Sequence, residues 1–95
     1  MKKVTITDAI LAIEALGEIE GELNPLSRYK IARVKKVLLD AIETARPFAT
    51  GDEKKDQWLS KAETPPFEPL VLKELLMGPQ KIEPRKFLSL KRVCS

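Results

Sequence analysis

The stretch RYKIARVKK, residues 28–36, concentrates residue types that bind phosphate groups. It holds five cations and one tyrosine in nine positions. Tyr29 can stack on a base, and on a helix four cations can face a nucleic-acid backbone: Arg28, Arg33, Lys35 and Lys36. The net charge of only +3, from 17 basic and 14 acidic residues, is also typical of an ordinary solvated surface. Nucleic-acid binding is therefore the second hypothesis for this sequence.

Residue types that support catalysis or metal binding are scarce. The chain has no histidine and a single cysteine, Cys94. A cysteine without a neighbouring base is not activated, and protein zinc sites are built mainly from histidine and cysteine. Five of the 14 acidic residues lie on the polar face of one predicted helix, and the four glycines are isolated. We therefore expect no enzyme activity, no metal and no cofactor.

The first half of the chain predicts an antiparallel helical hairpin over residues 7–46. An acidic amphipathic helix is expected from about Asp8 to Glu22, with Thr7 as its N-cap. Gly17 and Gly21 weaken it, and close packing against a neighbouring helix would explain them. A basic helix follows, ending near Ala45 at the Arg46–Pro47 step. Its start is either Asn24–Pro25 or, by preference, Ser27 as N-cap.

Residues 47–64 form a charged linker with a short helix predicted around Glu53–Lys61. Trp58, the single tryptophan, either covers the open apolar face of the hairpin or acts as a binding hot spot.

Residues 65–95 combine proline with large apolar side chains. Three prolines between Pro65 and Pro69 exclude a helix there and predict an extended segment, with a short edge strand at Leu70–Leu72. A helical turn is expected from Lys73, ending at Gly78–Pro79, and a last short helix at Arg85–Val93. The segment either covers the hairpin or docks on another subunit or a partner.

The order of these elements resembles a family of small bacteriophage and prophage proteins. The resemblance lies in the acidic and basic helices and in a tail motif similar to PFEPLPLxxL, followed by an I-x-P-x-x-F/L element. It implies phage origin, action in the host cytoplasm and a host or phage protein as partner. The matching positions are Pro66, Phe67, Glu68, Pro69, Leu70, Leu72, Leu75, Ile82, Pro84 and Phe87.

These observations predict one small, mainly α domain over residues 1–95: an antiparallel two-helix hairpin, an extended Pro-rich segment and a short C-terminal helix. We expect a non-enzymatic module that inhibits or scaffolds a protein complex; a nucleic-acid accessory protein and a virion-assembly protein are the alternatives. The expected contact residues are Trp58, Phe67, Leu70, Leu72 and Phe87. The expected electrostatic rim is Arg28, Arg33, Lys35 and Lys36.

Three further expectations concern the setting of the protein. A core this small favours a homo-oligomer, because pairing two hairpins would bury two bare apolar faces. No apolar run approaches the roughly 18 residues that a membrane span needs. The lone cysteine forms no internal disulfide, which fits a reducing compartment.

Overall fold

The computed structural model describes residues 1–75 and 83–94 and is mainly helical over these ranges. The predicted mainly α fold with a helical hairpin is confirmed. The α-helices of the described ranges are α1 (Ile6–Ile19), α2 (Pro25–Ala45), α3 (Leu72–Leu75) and α4 (Pro84–Arg92). Three 3-10 helices lie between them, at Glu20–Glu22, Arg46–Phe48 and Lys55–Ser60.

Helix α1 begins two residues earlier than the sequence pattern predicted. Thr5 is the N-cap: its backbone is extended, and its hydroxyl accepts a hydrogen bond from the amide of Asp8 at 3.2 Å. The expected cap, Thr7, lies inside the first turn. A Cβ added at Gly17 or Gly21 would meet nothing within 4 Å, so close packing does not explain these two glycines.

Helix α2 begins at Pro25. The sequence-based preference for Ser27 as its N-cap is therefore wrong. Asn24 caps the helix by accepting a hydrogen bond from the amide of Ser27 at 2.8 Å. Proline suits the first helical position because its missing N–H has no helical partner there. Ser27 is instead a buried residue of the first turn.

Buried residues of both helices form the hairpin core, and on α1 three of them are alanines. Ala9, Ala12 and Leu16 are fully covered, and they lie in one apolar cluster with Ile31 and Leu38. Alanines allow the two helices to approach closely. Lys35 of α2 forms an ion pair at 3.2 Å with Glu20, the first residue of the 3-10 helix that follows α1.

Helix α4 covers the face of α1 that the hairpin alone would leave bare. Arg92 pairs with Asp8 near the start of α1 at 2.8 Å, and Lys86 pairs with Glu18 near its end, so α4 runs antiparallel to α1. Leu90 is fully buried in this contact. Self-association was expected because the hairpin would leave an apolar face bare. Within one chain, α4 already covers that face.

The Pro-rich segment pairs with the N-terminal residues. The amides and carbonyls of Lys2 and Phe67 exchange two hydrogen bonds of 2.9 Å, and the amide of Thr64 donates to the carbonyl of Val4 at 2.8 Å. These contacts form isolated antiparallel bridges. Phe67 and Leu70 are 3% and 4% exposed, so this segment belongs to the core.

The edge strand expected at Leu70–Leu72 does not form. Leu70 makes a single parallel bridge with Cys94, donating its amide to the carbonyl of Val93 at 3.0 Å. Helix α3 then begins at Leu72. The expected helix end at Gly78–Pro79 and the motif residue Ile82 lie outside the described residues.

The remaining sequence-based boundaries agree closely with the structure. The last helix, expected at Arg85–Val93, is α4, and the short linker helix is the 3-10 helix Lys55–Ser60. Over residues 1–75 and 83–94, no helix is both long enough and apolar enough to cross a membrane.

The capping assignment predicts different costs for two neighbouring threonines. We expect Thr5→Ala to lower the free energy of unfolding by about 1 kcal/mol, because the amide of Asp8 loses its acceptor. Thr7→Ala, at an exposed position inside α1, should change it by less than about 0.5 kcal/mol. Urea denaturation of both variants checks this, and equal costs would contradict the assignment.

The burial of the Pro-rich segment predicts a large cost for truncating Phe67. Phe67→Ala should lower the free energy of unfolding by about 3–5 kcal/mol, because it leaves a cavity in the core. The control is Phe48→Ala, since Phe48 is 69% exposed and little packing is lost. Thermal and urea unfolding measure both, and a Phe67 variant as stable as the Phe48 variant would show that the segment is not core.

Candidate docking grooves

Several of the exposed large apolar side chains border one groove. Nine are substantially exposed over the described residues, and four of these border the same depression. They are Met1, Leu26, Tyr29 and Val71, with exposed fractions of 88%, 64%, 61% and 44%. We call this depression, between residues 26–37 of α2 and residues 66–71 of the Pro-rich segment, the Tyr29 groove. Its volume is about 470 Å³.

The Tyr29 groove exists because an extended segment lies beside a helix. The prolines at 66 and 69 keep the backbone extended, and the bonds between Phe67 and Lys2 hold it in place. At the far end, Lys30 of α2 pairs with Glu74 at 3.2 Å and ties α3 to α2. Both walls are thus fixed by contacts within the chain.

Charges of both signs line the Tyr29 groove. Lys30 and Arg33 line it from α2, opposite Glu68 from the Pro-rich segment. The charge of Lys30 is offset by Glu74, and Arg28 and Lys36 are exposed nearby on α2. Within the described ranges, no carboxylate lies within 4.0 Å of the charged groups of Arg28, Arg33 or Lys36.

Two of the predicted contact residues need correction. Phe67 and Leu70 line the bottom of the Tyr29 groove, but both are buried in the chain's own core. They shape the groove and offer little surface to a partner. The sequence also allowed the Pro-rich segment to cover the hairpin, and the burial of Phe67 and Leu70 agrees with that alternative.

The structure does not bring the other three predicted contact residues together. Leu72 is partly buried against the core, and Phe87 is partly buried with the ammonium group of Lys91 5.7 Å from its ring centre. Trp58 lines a different groove, at the C-terminal end of α2.

The predicted rim is gathered only in part. Arg33 lines the Tyr29 groove, and Arg28 and Lys36 lie exposed on the same helix. Lys35 is held in an ion pair with Glu20, just beyond the end of α1. Its position one residue before Lys36 turns it by about 100° around the helix axis, which separates the two.

Sequence reasoning missed the apolar border of the Tyr29 groove. Leu26 and Tyr29 are out of phase with the buried stripe of Ile31, Val34 and Leu38, and that mismatch was a usable signal. Met1 and Val71 carry no such signal. They border the groove only because the N-terminal residues pair with the Pro-rich segment.

Three titratable groups in the described ranges have pKa values shifted by their surroundings. No cluster of three or more His, Cys, Asp or Glu side chains suited to a metal ion is found there. The hydrogen bond to Glu18 raises the pKa of Lys86, and the amide of Thr50 lowers the pKa of Asp56 by donating to it. Burial raises the pKa of the Cys94 thiol to about 11.

No protein family, curated protein or solved structure matches this chain. The function therefore has to be argued from the geometry of its surface.

The buried thiol predicts an unusual pH dependence. Because the folded state disfavours the thiolate of Cys94, its reaction with a disulfide reagent should keep accelerating about tenfold per pH unit from pH 8 to pH 10. The raised pKa also means that this group's contribution to stability is complete below pH 9 and is lost as the pH rises toward 11. The control is the urea-unfolded chain, whose rate should level off near pH 9. A plateau near pH 9 in the folded chain would contradict the account.

Proposed function

We propose that the chain is a non-enzymatic protein-binding module that docks an apolar segment of a partner in the Tyr29 groove. The observation that supports this most is the convergence of four exposed large apolar side chains, from three separate parts of the chain, on one depression. Single exposed apolar residues are ordinary, whereas a contiguous set beside a concavity is typical of an interaction site.

The residue types at the groove suit protein recognition. Tyrosine, methionine and arginine are enriched at protein interfaces, and tyrosine and arginine are frequent hot spots. Tyr29 and Arg33 stand four residues apart on α2, so they share one side of the helix. An apolar anchor of the partner would lie against Tyr29 and Leu26, with Arg33 at the edge.

The groove is formed before any partner arrives. Its floor is buried core, and its walls are held by the Lys2–Phe67 hydrogen bonds and the Lys30–Glu74 pair. Binding therefore requires little ordering of this chain, which lowers the entropic cost of association.

The charge of the surroundings defines the partner further. Arg33 lines the apolar groove, and Lys36, three residues further on, is exposed on the same side of the helix. A segment with apolar anchors flanked by aspartate or glutamate complements both features. We propose such a segment of another protein as the occupant.

The wider setting extends the same proposal. The resemblance to bacteriophage and prophage proteins supports a host or phage protein as the partner and the host cytoplasm as the place of action. Capture of a partner segment in a preformed groove would inhibit or scaffold the complex to which that partner belongs. A second copy of the chain is a competing occupant.

Nucleic-acid binding is the second candidate function. It is favoured by the exposed, unpaired cations of α2, and by a further cationic groove lined by Lys2, Lys3, Lys61, Lys91 and Arg92. Two of these cations are engaged within the chain: Lys2 donates to the carbonyls of Lys91 and Cys94, and Arg92 pairs with Asp8.

The test is affinity capture from nuclease-treated bacterial lysate with the wild-type chain and two matched variants. Leu26→Ser with Tyr29→Ser removes the apolar border of the groove, whereas Leu39→Ser changes a residue of the same helix that is 42% exposed outside it. We expect a partner whose recovery at 0.5 M salt falls at least tenfold with the double variant and is kept with the control.

Three results would oppose the proposal. Equal recovery with both variants would place the docking surface elsewhere. Proteins that are captured only when the nuclease treatment is omitted would favour nucleic-acid binding. Self-association in sedimentation equilibrium that the double variant abolishes would make a second copy the occupant.

A further inference from the structure

A second apolar groove lies at the other end of α2. Its aromatic members are Phe48 and Trp58, and its remaining wall includes Ala45, Ile6 and Pro65. We call it the Trp58 groove, and its volume is about 610 Å³. Phe48 is 69% exposed, which makes it the most exposed aromatic side chain of the described residues.

The two aromatic side chains are positioned by tight local structure. Helix α2 passes into the 3-10 helix Arg46–Phe48 at Pro47, and this turn leaves Phe48 on the surface. Trp58 lies in the 3-10 helix Lys55–Ser60. After this helix the chain turns back, and the carbonyl of Trp58 accepts a hydrogen bond from the amide of Ala62 at 2.8 Å.

The loop between the aromatics is tied by one carboxylate. Asp56 accepts hydrogen bonds from the amides of Thr50 and Gly51 at 2.9 and 2.8 Å. Gly51 adopts a φ of 82°, a conformation that glycine reaches without strain. The segment expected from sequence to be a linker is thus a closed loop that holds Phe48 and Trp58 on one side of the molecule.

The Trp58 groove differs from the Tyr29 groove in its charged side chains. Among the side chains that the structure describes, the charged ones lining it are Asp40 of α2 and Glu63 of the linker, both exposed. The neighbouring cations, Arg46 and Lys61, do not line it. The rim is therefore acidic on a chain whose net charge is +3.

We propose that the Trp58 groove is a second docking site, which takes an apolar anchor flanked by lysine or arginine on a partner protein. Phe48 and Trp58 would contact the anchor, while Asp40 and Glu63 would attract the flanking cations. An aromatic face also favours a nearby cation, and tryptophan does so most strongly. This inference uses different residues from the Tyr29 groove and does not depend on that proposal.

Two separate grooves make the chain suited to bridging two partners, an extension that rests on the function proposed above. Tyr29 and Thr44, which border the two sites on α2, are 15 residues apart, or about 22 Å along the helix. Short segments can occupy both sites at once without touching. The chain would then join an acidic-flanked segment at one site to a basic-flanked segment at the other.

The experiment uses three synthetic nine-residue peptides with leucine at the same positions and flanks of lysine, glutamate or serine. Trp58 is the only tryptophan, so its emission reports on this groove directly. Binding is measured by calorimetry and by Trp58 emission at 150 mM salt, and circular dichroism confirms that each variant is folded. We expect the lysine peptide to bind with a Kd of about 1 mM or tighter and to shift Trp58 emission to shorter wavelength.

The variants separate this groove from the Tyr29 groove. Phe48→Ser should weaken binding of the lysine peptide at least tenfold, and Asp40→Asn with Glu63→Gln should reduce its preference over the serine peptide to about twofold or less. Leu26→Ser with Tyr29→Ser, which alters only the other groove, should leave it unchanged. The glutamate peptide should leave Trp58 emission unchanged at the same concentrations.

Each alternative outcome is informative. No binding of the lysine peptide up to 1 mM, or equal binding to the Phe48→Ser variant, overturns the proposal. Equal affinity for all three peptides shows that an apolar ligand is taken regardless of charge, which overturns the assigned partner chemistry. Concentration-dependent self-association that Phe48→Ser abolishes identifies a second copy as the occupant. Failure of the glutamate peptide at the Tyr29 groove bears only on the function proposed above.

Discussion

The structure depends on the pairing of the first residues of the chain with the Pro-rich segment. Lys2 and Phe67 exchange two backbone hydrogen bonds, and Thr64, which is 2% exposed, accepts a third from the amide of Val4 through its hydroxyl at 3.3 Å. Proline cannot form a helix here, so its neighbours need partners outside the segment. The N-terminal residues supply those partners, and their hydrogen bonds hold Phe67 in the core.

The same pairing joins the ends of the molecule. The ammonium group of Lys2 donates to the carbonyls of Lys91 and Cys94 at the C-terminal end of α4, where a cation is favourably placed. Leu70 in turn bridges to Cys94. Helix α4 is thereby held against α1, and both helical faces that a bare hairpin would expose are covered.

Both grooves take a wall from this one segment, with Pro65 in the Trp58 groove and residues 66–71 in the Tyr29 groove. Helix α2 supplies the facing wall of each. Along α2, Arg33 lines the Tyr29 groove and Asp40 lines the Trp58 groove, so the two grooves differ in the charge that this helix supplies. A small core and a folded-back extended segment thus create two shaped surfaces on a chain of 95 residues.

Local signals predicted the helices but not the surfaces. The spacing of Ile31, Val34 and Leu38 predicted α2, and Arg46–Pro47 predicted its end, because these depend on neighbouring residues alone. The caps were wrong at Thr7 and Ser27, since a second capping residue stood two or three positions away in each case. The roles of Phe67 and Leu70 depend on contacts with residues more than 20 positions away, which no periodicity encodes. Phe48, placed after the proline that ends α2, carried no signal of its own.

The most direct measurement of the central claim is native-state amide hydrogen exchange at Thr64, Phe67 and Leu70. If the Pro-rich segment is part of the core, these three amides should exchange only on unfolding of the whole domain, as slowly as the buried amides of α1 around Leu16. Exchange of Thr64 and Phe67 near the rate of an unstructured peptide, with α1 still protected, would show that the segment is a detachable arm. In that case neither groove would exist as described.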